Sequence, residues 1–525
     1  MNFLSIAYIL FMLVLVCVYY AAGRLFKRGQ WIVILVFSLI FYTLVGSIST
    51  LGYVVATMII SYTAARVLER IDASTRTHVK TLTDRSEKKA YKHSRTLRKR
   101  GVLCVAIVCM IATLCYLKYW NTLAYYLSFE TSPHSLGLLL PLGISFYTFS
   151  ALSYVIDVYN QKYTPEHNIA KYACYLTYFP QLVQGPINRY DAMAPQLFAY
   201  HKASDTHFAP ASLLFMYGLL KKYVIADCLV GLIATILDAD PSTYAGSVVA
   251  FGILLYSAQQ YGDFSGGIDM VQASSQMLGI TMQPNFRQPY FSVSLADFWR
   301  RWHISLGLWM KDYIFYPFAL TNCMKWLGKF LHRHTTTHLG RTVPAGIANI
   351  VVFLLVGIWH GPEIHFVWWG LYNGVVIALS DMLRPYCETL ASTLHINRKS
   401  RSYYVFSMVR TFIVVNIGWY FDRIVDPHVS IAALTRTVFA FNANAFAGQL
   451  ARILYGNRIS FTLACIGCVL VFCTSVFSER GIDVASFICT KHVIWRYGIY
   501  LMVGILVLLA IAVTKTQGGF MYANY

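Results

Sequence analysis

An all-α, polytopic integral membrane protein is the fold class this sequence predicts, on three observations. Of 525 residues, 13% are charged and 57% hydrophobic, against about 25% charged and 45–50% apolar in soluble domains. The mean hydropathy is +0.52, which leaves too little polar surface to solvate a water-soluble fold. The apolar residues run continuously instead of alternating, with Gly and Pro inside the runs, which argues against a β-barrel.

The segments follow in order. Apolar stretches lie near 3–22, 31–46, 49–65, 102–118, 137–157, 170–184, 211–236, 246–260, 344–358, 366–381, 405–422, 460–476 and 497–514. A spanning helix needs about 20 apolar residues, and several of these are shorter, as tilted or re-entrant segments are; about 11–13 membrane helices are expected. The stretch 3–22 has no basic region before it and no small-residue cleavage site after it, so it reads as a retained helix and not a cleaved signal. Between 66 and 101 the chain carries Arg66, Arg70, Arg76, Lys80, Arg85, Lys88, Lys89, Lys92, Arg95, Arg98, Lys99 and Arg100 against Glu69, Asp72, Asp84 and Glu87. That excess makes 66–101 a basic cytoplasmic loop. The short link with Arg24, Lys27 and Arg28 is basic too. Two spans separate the two basic links, so both lie on one side and the N-terminus lies outside. The net charge of +20 therefore belongs to cytoplasmic loops, and nucleic-acid binding is not expected.

No fixed-period repeat and no Ser/Gly linker divides the chain. We read residues 1–525 as a single integral membrane domain, with C-terminal membrane helices over 400–525 and no appended soluble domain. The stretch 259–312 differs in kind: it has few long apolar runs, many aromatics, and Asp, Arg and His close together. In lipid, such irregular polar backbone must be buried in protein or line a wet cavity, so function is sought there first.

Two histidines stand out. His303 sits in DFWRRWHIS (297–305) and His360 in GIWHGP (357–362), directly after an apolar run. An ionisable side chain inside a membrane segment is a functional hypothesis by default, and imidazole is suited to take and return a proton near neutral pH. A helix stopped by Gly361-Pro362 would set His360 at its end, facing a cavity. A Trp-flanked histidine can equally be an interfacial anchor or a packing residue, and for His303, beside Arg301 and Trp302, a basic–aromatic cluster is an equal reading. Asp263 and Asp269 are six residues apart, a spacing that specifies no acid/base pair; they are expected as partners of Arg287, Arg300 or Arg301. His332, His334 and His338 have a metal-like spacing but read as a solvated basic loop. Cys465 and Cys468 lie in an apolar run without a second ligand pair and read as small helix residues. No phosphate-cradling Gly-rich motif and no G-x-S-x-G elbow is present. No bound cofactor or metal is expected.

With these residues in view, the sequence resembles the membrane-bound O-acyltransferases. DFWRRWHISLGLWMKD (297–312) resembles their first signature and GIWHGPEIHFVWWGLYNG (357–374) the second, which holds the family's invariant histidine. PLGISFYTFSALSYVIDVYN (141–160), FPQLVQGPINR (179–189), YGDFSGGIDM (261–270) and NFRQPY (285–290) resemble blocks of the bacterial branch. These blocks make 140–375 the signature-bearing core. Length and the aromatic ending FMYANY (520–525) resemble the membrane subunits of alginate and related polysaccharide O-acetylation. Gly262, Gly267 and Pro362-Glu363 depart from that branch's usual residues.

The resemblance implies a helical bundle with a central funnel or tunnel in a bacterial cytoplasmic membrane. His360 matches the invariant histidine and His303 the branch-associated one. Trp302, Asp312, Trp359 and Asn373 fall in the same blocks, as shell residues. The donor would be a cytoplasmic thioester, acetyl-CoA, and His360 would deprotonate an acceptor hydroxyl or help form an acyl-enzyme. Arg300, Arg301 or the Trp302 indole N–H would hold the donor or stabilise negative charge. Partners implied are membrane lipid, a separate extracytoplasmic SGNH-type acetyltransferase with a Ser-His-Asp site, and an exported glycan as acceptor. D-alanyl transfer to teichoic acid is the alternative among enzymes. A non-enzymatic transporter is the alternative class, which inverted symmetry between halves would favour; none is visible.

Overall fold

The computed structural model describes residues 5–128 and 140–514; the aromatic ending 520–525 and the start of the first apolar stretch lie outside the described residues. The described residues form helices and connecting turns, with a single isolated β-bridge between Phe286 and Trp302. They divide into two compact units, Met1–Ala211 with Val271–Gln283, and Ser212–Met270 with Pro284–Tyr525.

The first unit holds α1 (Ile6–Leu25), α2 (Gln30–Val45), α3 (Leu51–Thr81), α4 (Arg85–Ser128), α5 (Ile144–Tyr159), α6 (Ile169–Leu176), α7 (Phe179–Val183) and α8 (Tyr190–Leu197). Residues 66–101 are not an irregular loop. The backbone stays helical through α3, turns at 82–84, and returns in α4. Good helix formers (Ala, Arg, Lys, Leu, Glu) fill the stretch, and cross-hairpin pairing supports it: Lys99 Nζ lies 2.9 Å from both carboxylate oxygens of Asp72. Asn168 begins α6 by accepting from the N–H groups of Ala170 and Lys171, as an N-cap residue does. In the core of this unit Tyr154 packs on Tyr172 and Tyr190 at ring distances of 4.5 and 5.1 Å.

The second unit begins within α9 (Phe208–Leu219), which passes through a π-helical stretch, Leu220–Asp227, into α10 (Cys228–Leu237). α11 (Gly246–Gln276) follows and contributes its last residues to the first unit. Short helices α12 (Leu295–Arg301), α13 (Ile304–Met310) and α14 (Tyr316–Ala319) lead to α15 (Asn322–His334), α16 (Thr337–His360) and α17 (Ile364–Met382). The chain closes with α18 (Arg384–Thr393), α19 (Arg401–Arg423), α20 (Pro427–Phe439), α21 (Ala443–Leu454), α22 (Arg458–Glu479), α23 (Val484–Cys489) and α24 (Val493–Val513).

Seven helices among the described residues are long and apolar enough to cross a membrane, or eight if α17 and α18, bent by 55°, form one broken span. The chain is thus a multi-pass membrane protein. Thirteen apolar stretches yield fewer continuous spans for local reasons. α2 and α5 stop at 16 residues. The stretch 170–184 divides at Thr177 into two short helices, and 211–236 is interrupted by the π stretch.

Candidate active site

The turn after α16 places His360. The helix ends on that residue; Gly361 follows in extended conformation, with its N–H on the Gly357 carbonyl at 3.4 Å. α17 then runs back along α16 at close range. A Cβ on Gly357 would strike the Phe366 carbonyl, one on Gly370 the Phe353 carbonyl, and one on Gly374 would come within 2.7 Å of the Ile350 Cα. Glycine at these three positions lets the two backbones touch, as small residues do between membrane helices. The approach presses the imidazole of His360 against two rings of α17. Phe366 stacks at 5.7 Å and Trp369 meets it edge-on at 5.1 Å. His360 is 4% exposed.

His303 comes from a different device. It occupies the junction between α12 and α13 with φ +48°, a left-handed conformation uncommon for any residue but glycine. Strain of this kind collects at functional sites. The residue is 3% exposed, and its ring lies edge-on to Phe264 at 4.8 Å. Nδ1 is 3.2 Å from Oδ1 of Asn285. The same oxygen accepts from the backbone N–H of Ser305 at 3.0 Å and from its hydroxyl at 2.9 Å. Burial pushes the His303 imidazole down to about 3, so it is neutral at pH 7.

Trp359 links the two histidines. Its ring lies 6.4 Å from His303 and 5.0 Å from His360. The structure therefore gathers His303, Trp359 and His360 into one buried aromatic cluster in the second unit. Asn373 joins from behind: its Oδ1 accepts the indole N–H of Trp299 at 3.0 Å and its amide donates to the Trp369 carbonyl at 2.9 Å. Trp302 is buried among Phe286, Phe298 and Trp419 at 5.1, 5.4 and 5.6 Å.

The charged residues of the first signature separate. Arg301 is tied by its Nε to Asp297 at 3.2 Å and by Nη1 to both carboxylate oxygens of Glu479 at 3.0 and 2.9 Å. Arg300 is exposed, with Asp297 at 3.7 Å. Asp312 sits exposed in a short π-helical turn, Lys311–Phe315.

Asp263 and Asp269 correct an expectation. Their partners are lysines, not arginines: Lys222 Nζ is 2.5 Å from Asp263 and 2.9 Å from Asp227, and Lys221 Nζ is 2.6 Å from Asp269. Lys221 and Lys222 are 2% and 1% exposed. The sequence shows both lysines but not the π-helical stretch that turns adjacent side chains toward two aspartates of one helix. A buried glutamine was missed as well: Gln184 is fully buried, and neither amide atom has a hydrogen-bond partner among the described residues. His332, His334 and His338 do not form a loop. The first two end α15 and the third opens α16, with His338 Nε2 2.9 Å from the Asp381 carbonyl. No group of three metal-ligating side chains occurs among the described residues. Cys465 and Cys468 sit within α22 as free thiols.

Two buried imidazoles on separately built turns, one held neutral, suit proton transfer on a bound substrate better than charge binding. The sequence profile described as the membrane-bound O-acyltransferase family matches residues 164–417. The chain is 34% identical over 335 residues to a probable alginate O-acetylase of Pseudomonas aeruginosa, covering 63% of this chain and 58% of that one. It is 29% identical over 360 residues to a peptidoglycan O-acetyltransferase of Helicobacter pylori, covering 62% of each. It is 25% identical over 326 residues to a teichoic acid D-alanyltransferase of Bacillus subtilis, covering 61% of this chain and 77% of that one. Matches to alginate O-acetylases of three species span 58%, 60% and 61% of those proteins' length.

Proposed function

Because the chain belongs to the membrane-bound O-acyltransferase family, we propose that it transfers an acetyl group from a cytoplasmic thioester toward O-acetylation of an exported or cell-surface polysaccharide. The observation that carries this reading is the cluster of His360, Trp359 and His303, buried together and drawn from two signature segments. The likeness to O-acetylases of alginate and peptidoglycan supports acetyl as the group and a glycan as the final acceptor.

In the reaction, an acceptor hydroxyl adds to the thioester carbonyl while His360 takes its proton. The carbon–sulfur bond then breaks, and the thiolate leaves with the proton that His360 returns. A thioester is already activated, so positioning and a base suffice. The pressed geometry of α16 on α17 fixes the imidazole plane. His303, neutral and held through Nδ1, presents Nε2 as a second proton-accepting atom. Trp302 and Asn373 keep the surrounding rings in place, and Arg300, the more exposed of the two arginines, is the better placed to meet an anionic donor such as acetyl-CoA. The basic helical hairpin of α3 and α4 faces the cytoplasm, with the N-terminus outside, and attracts the donor's phosphates. A separate extracytoplasmic transferase of the Ser-His-Asp type takes the acetyl group onward.

The test is ester analysis of surface glycans from cells carrying the wild-type chain, a deletion, or His360→Ala. Ester-linked acetate should be lost in the deletion and fall by about 10²–10⁴-fold in the rate of transfer for the variant, the span of general-base contributions. Unchanged acetate with lost ester-linked D-alanine would replace the acetyl reading with D-alanyl transfer. A fully inserted His360→Ala protein with normal turnover would remove His360 from the mechanism.

A further inference from the structure

A cavity of about 400 Å³ opens in the second unit away from the histidine cluster; neither His303 nor His360 lines it. Its size falls within the range of about 300–1,000 Å³ of sites that bind small molecules, which are apolar with a few placed polar groups. Leu213, Leu470, Ile499 and Val503 form apolar wall. At one place the lining turns polar. Lys221 and Asp269, whose side chains are 3% and 15% exposed, pair at 2.6 Å, and the Lys221 ammonium lies 4.6 Å from the Tyr217 ring and 5.5 Å from the Tyr261 ring. Thr474, Ser475 and Ser478 of α22 add hydroxyls, and the Tyr217 hydroxyl bonds that of Thr474 at 2.7 Å.

Two features identify the ligand. α24, which supplies Ile499 and Val503, is a candidate membrane span whose other face is bare: Leu501 is 65% and Leu508 67% exposed. In a membrane that face meets hydrocarbon, so the cavity is bounded by a helix in contact with lipid. Where Lys221 and Asp269 meet, the two charges cancel, and Asp483, the other charged residue of the lining, has its carboxylate on the N–H and hydroxyl of Ser486 at 3.2 and 2.6 Å. An anionic head would compete with Asp269 for Lys221, and a cationic head with Lys221 for Asp269; a hydroxyl or ester can hydrogen-bond there without breaking the pair. We infer that this cavity binds a membrane glycerolipid, with one alkyl chain lying between α22 and α24 and an uncharged, hydroxyl- or ester-bearing head against the Lys221–Asp269 pair. The site is separate from the proposed acyl transfer but coupled to it by packing: Tyr261 and Phe286, both lining the cavity, lie 6.2 and 5.1 Å from Trp302, which precedes His303.

The experiment reconstitutes the full chain in nanodiscs containing a diacylglycerol with a diazirine in its acyl chain, and maps the photolabelled peptides. Label should concentrate on the inner faces of α22 and α24, around Leu470, Ile499 and Val503. Unlabelled diacylglycerol should compete at least about tenfold better than phosphatidylglycerol, the discrimination that one buried polar mismatch produces. Val503→Trp, which fills the cavity, should abolish the specific label in protein that still elutes as a monodisperse peak. Asp269→Asn leaves Lys221 charged and should reverse the preference toward phosphatidylglycerol; should that variant fail to fold, the wild-type competition and Val503→Trp decide the matter alone. Label spread over the bare face of α24 and unchanged in Val503→Trp, or equal competition by phosphatidylglycerol, would overturn the inference.

Discussion

Three donors converge on the side-chain oxygen of Asn285: the Ser305 backbone N–H, the Ser305 hydroxyl and His303 Nδ1. A backbone N–H can only donate, so the Asn285 atom facing it is its oxygen, and the proton of neutral His303 must then sit on Nδ1. Nε2 is left with a lone pair, the form a proton acceptor needs. This has a consequence for pH. Unfolded histidine titrates near 6.5, whereas burial pushes folded His303 down to about 3. Between those values the unfolded chain binds a proton that the folded chain does not, so this residue removes stability as pH falls below about 6.5, and the loss is complete near 3. His303→Gln keeps a neutral hydrogen-bonding side chain without that titration. Melting temperatures in detergent should therefore fall less steeply between pH 7 and 5 for His303→Gln than for wild type; parallel profiles would mean that His303 is not held neutral. His303 and His360 were legible as candidates because ionisable residues beside apolar runs are conspicuous. The left-handed turn of His303 and its tie to Asn285, 18 residues earlier, were not, because no local pattern encodes either.

At the scale of elements, glycine spacing and helix register build the site. Gly370 lies against the Phe353 carbonyl so closely that any Cβ must push α17 away from α16. Overpacking of this kind costs about 1–3 kcal/mol, and here it would also move Trp369 off His360. Gly370→Ala should lower both the melting temperature and acetyl transfer, whereas alanine at Gly448, which has open space around its Cβ position, should change neither. The π-helical stretch Leu220–Asp227 acts on the neighbouring pair of helices. Gly218 and Gly266 bring their backbones together, each Cβ position lying within 2.8 Å of the other residue's carbonyl, and the added residue of the π turn sets Lys221 and Lys222 on Asp269 and Asp263. Breaking a buried ion pair by removing one partner costs about 3–5 kcal/mol. Lys222→Met leaves Asp263 and Asp227 facing each other without their cation, so folded yield should drop sharply. Adding Asp263→Asn and Asp227→Asn to it should restore much of the yield if stranded charge is the cause. Asp263 and Asp269 drew attention from sequence, but their partners did not, since a helix register shifted by one residue cannot be seen in a row of letters.

At the scale of the whole chain, composition made the membrane class and the all-helical fold legible, since 57% hydrophobic residues in continuous runs admit little else. The number of full spans was less legible. Apolar stretches are visible in sequence, but whether one continues as a single helix depends on interruptions such as the 55° bend between α17 and α18. Lysine and arginine gather at the turn end of the α3–α4 hairpin, where the helices run on beyond their apolar lengths and Lys99 clasps Asp72. Cytoplasmic segments carry such an excess because moving lysine and arginine across the bilayer during insertion is costly. The turn at 82–84 should therefore face the cytoplasm. With α1 and the basic link at 24–28 before it, and with the 16-residue α2 crossing as well as α3, the N-terminus should lie on the opposite side. A protease site inserted at Thr83 should be cut in inverted membrane vesicles and protected in right-side-out ones, while a site ahead of α1 should behave in reverse. Cleavage of both sites from the same side would break the parity of one crossing followed by a hairpin. It would also move the basic hairpin away from the compartment that holds acetyl-CoA, removing the electrostatic reason for placing the donor there.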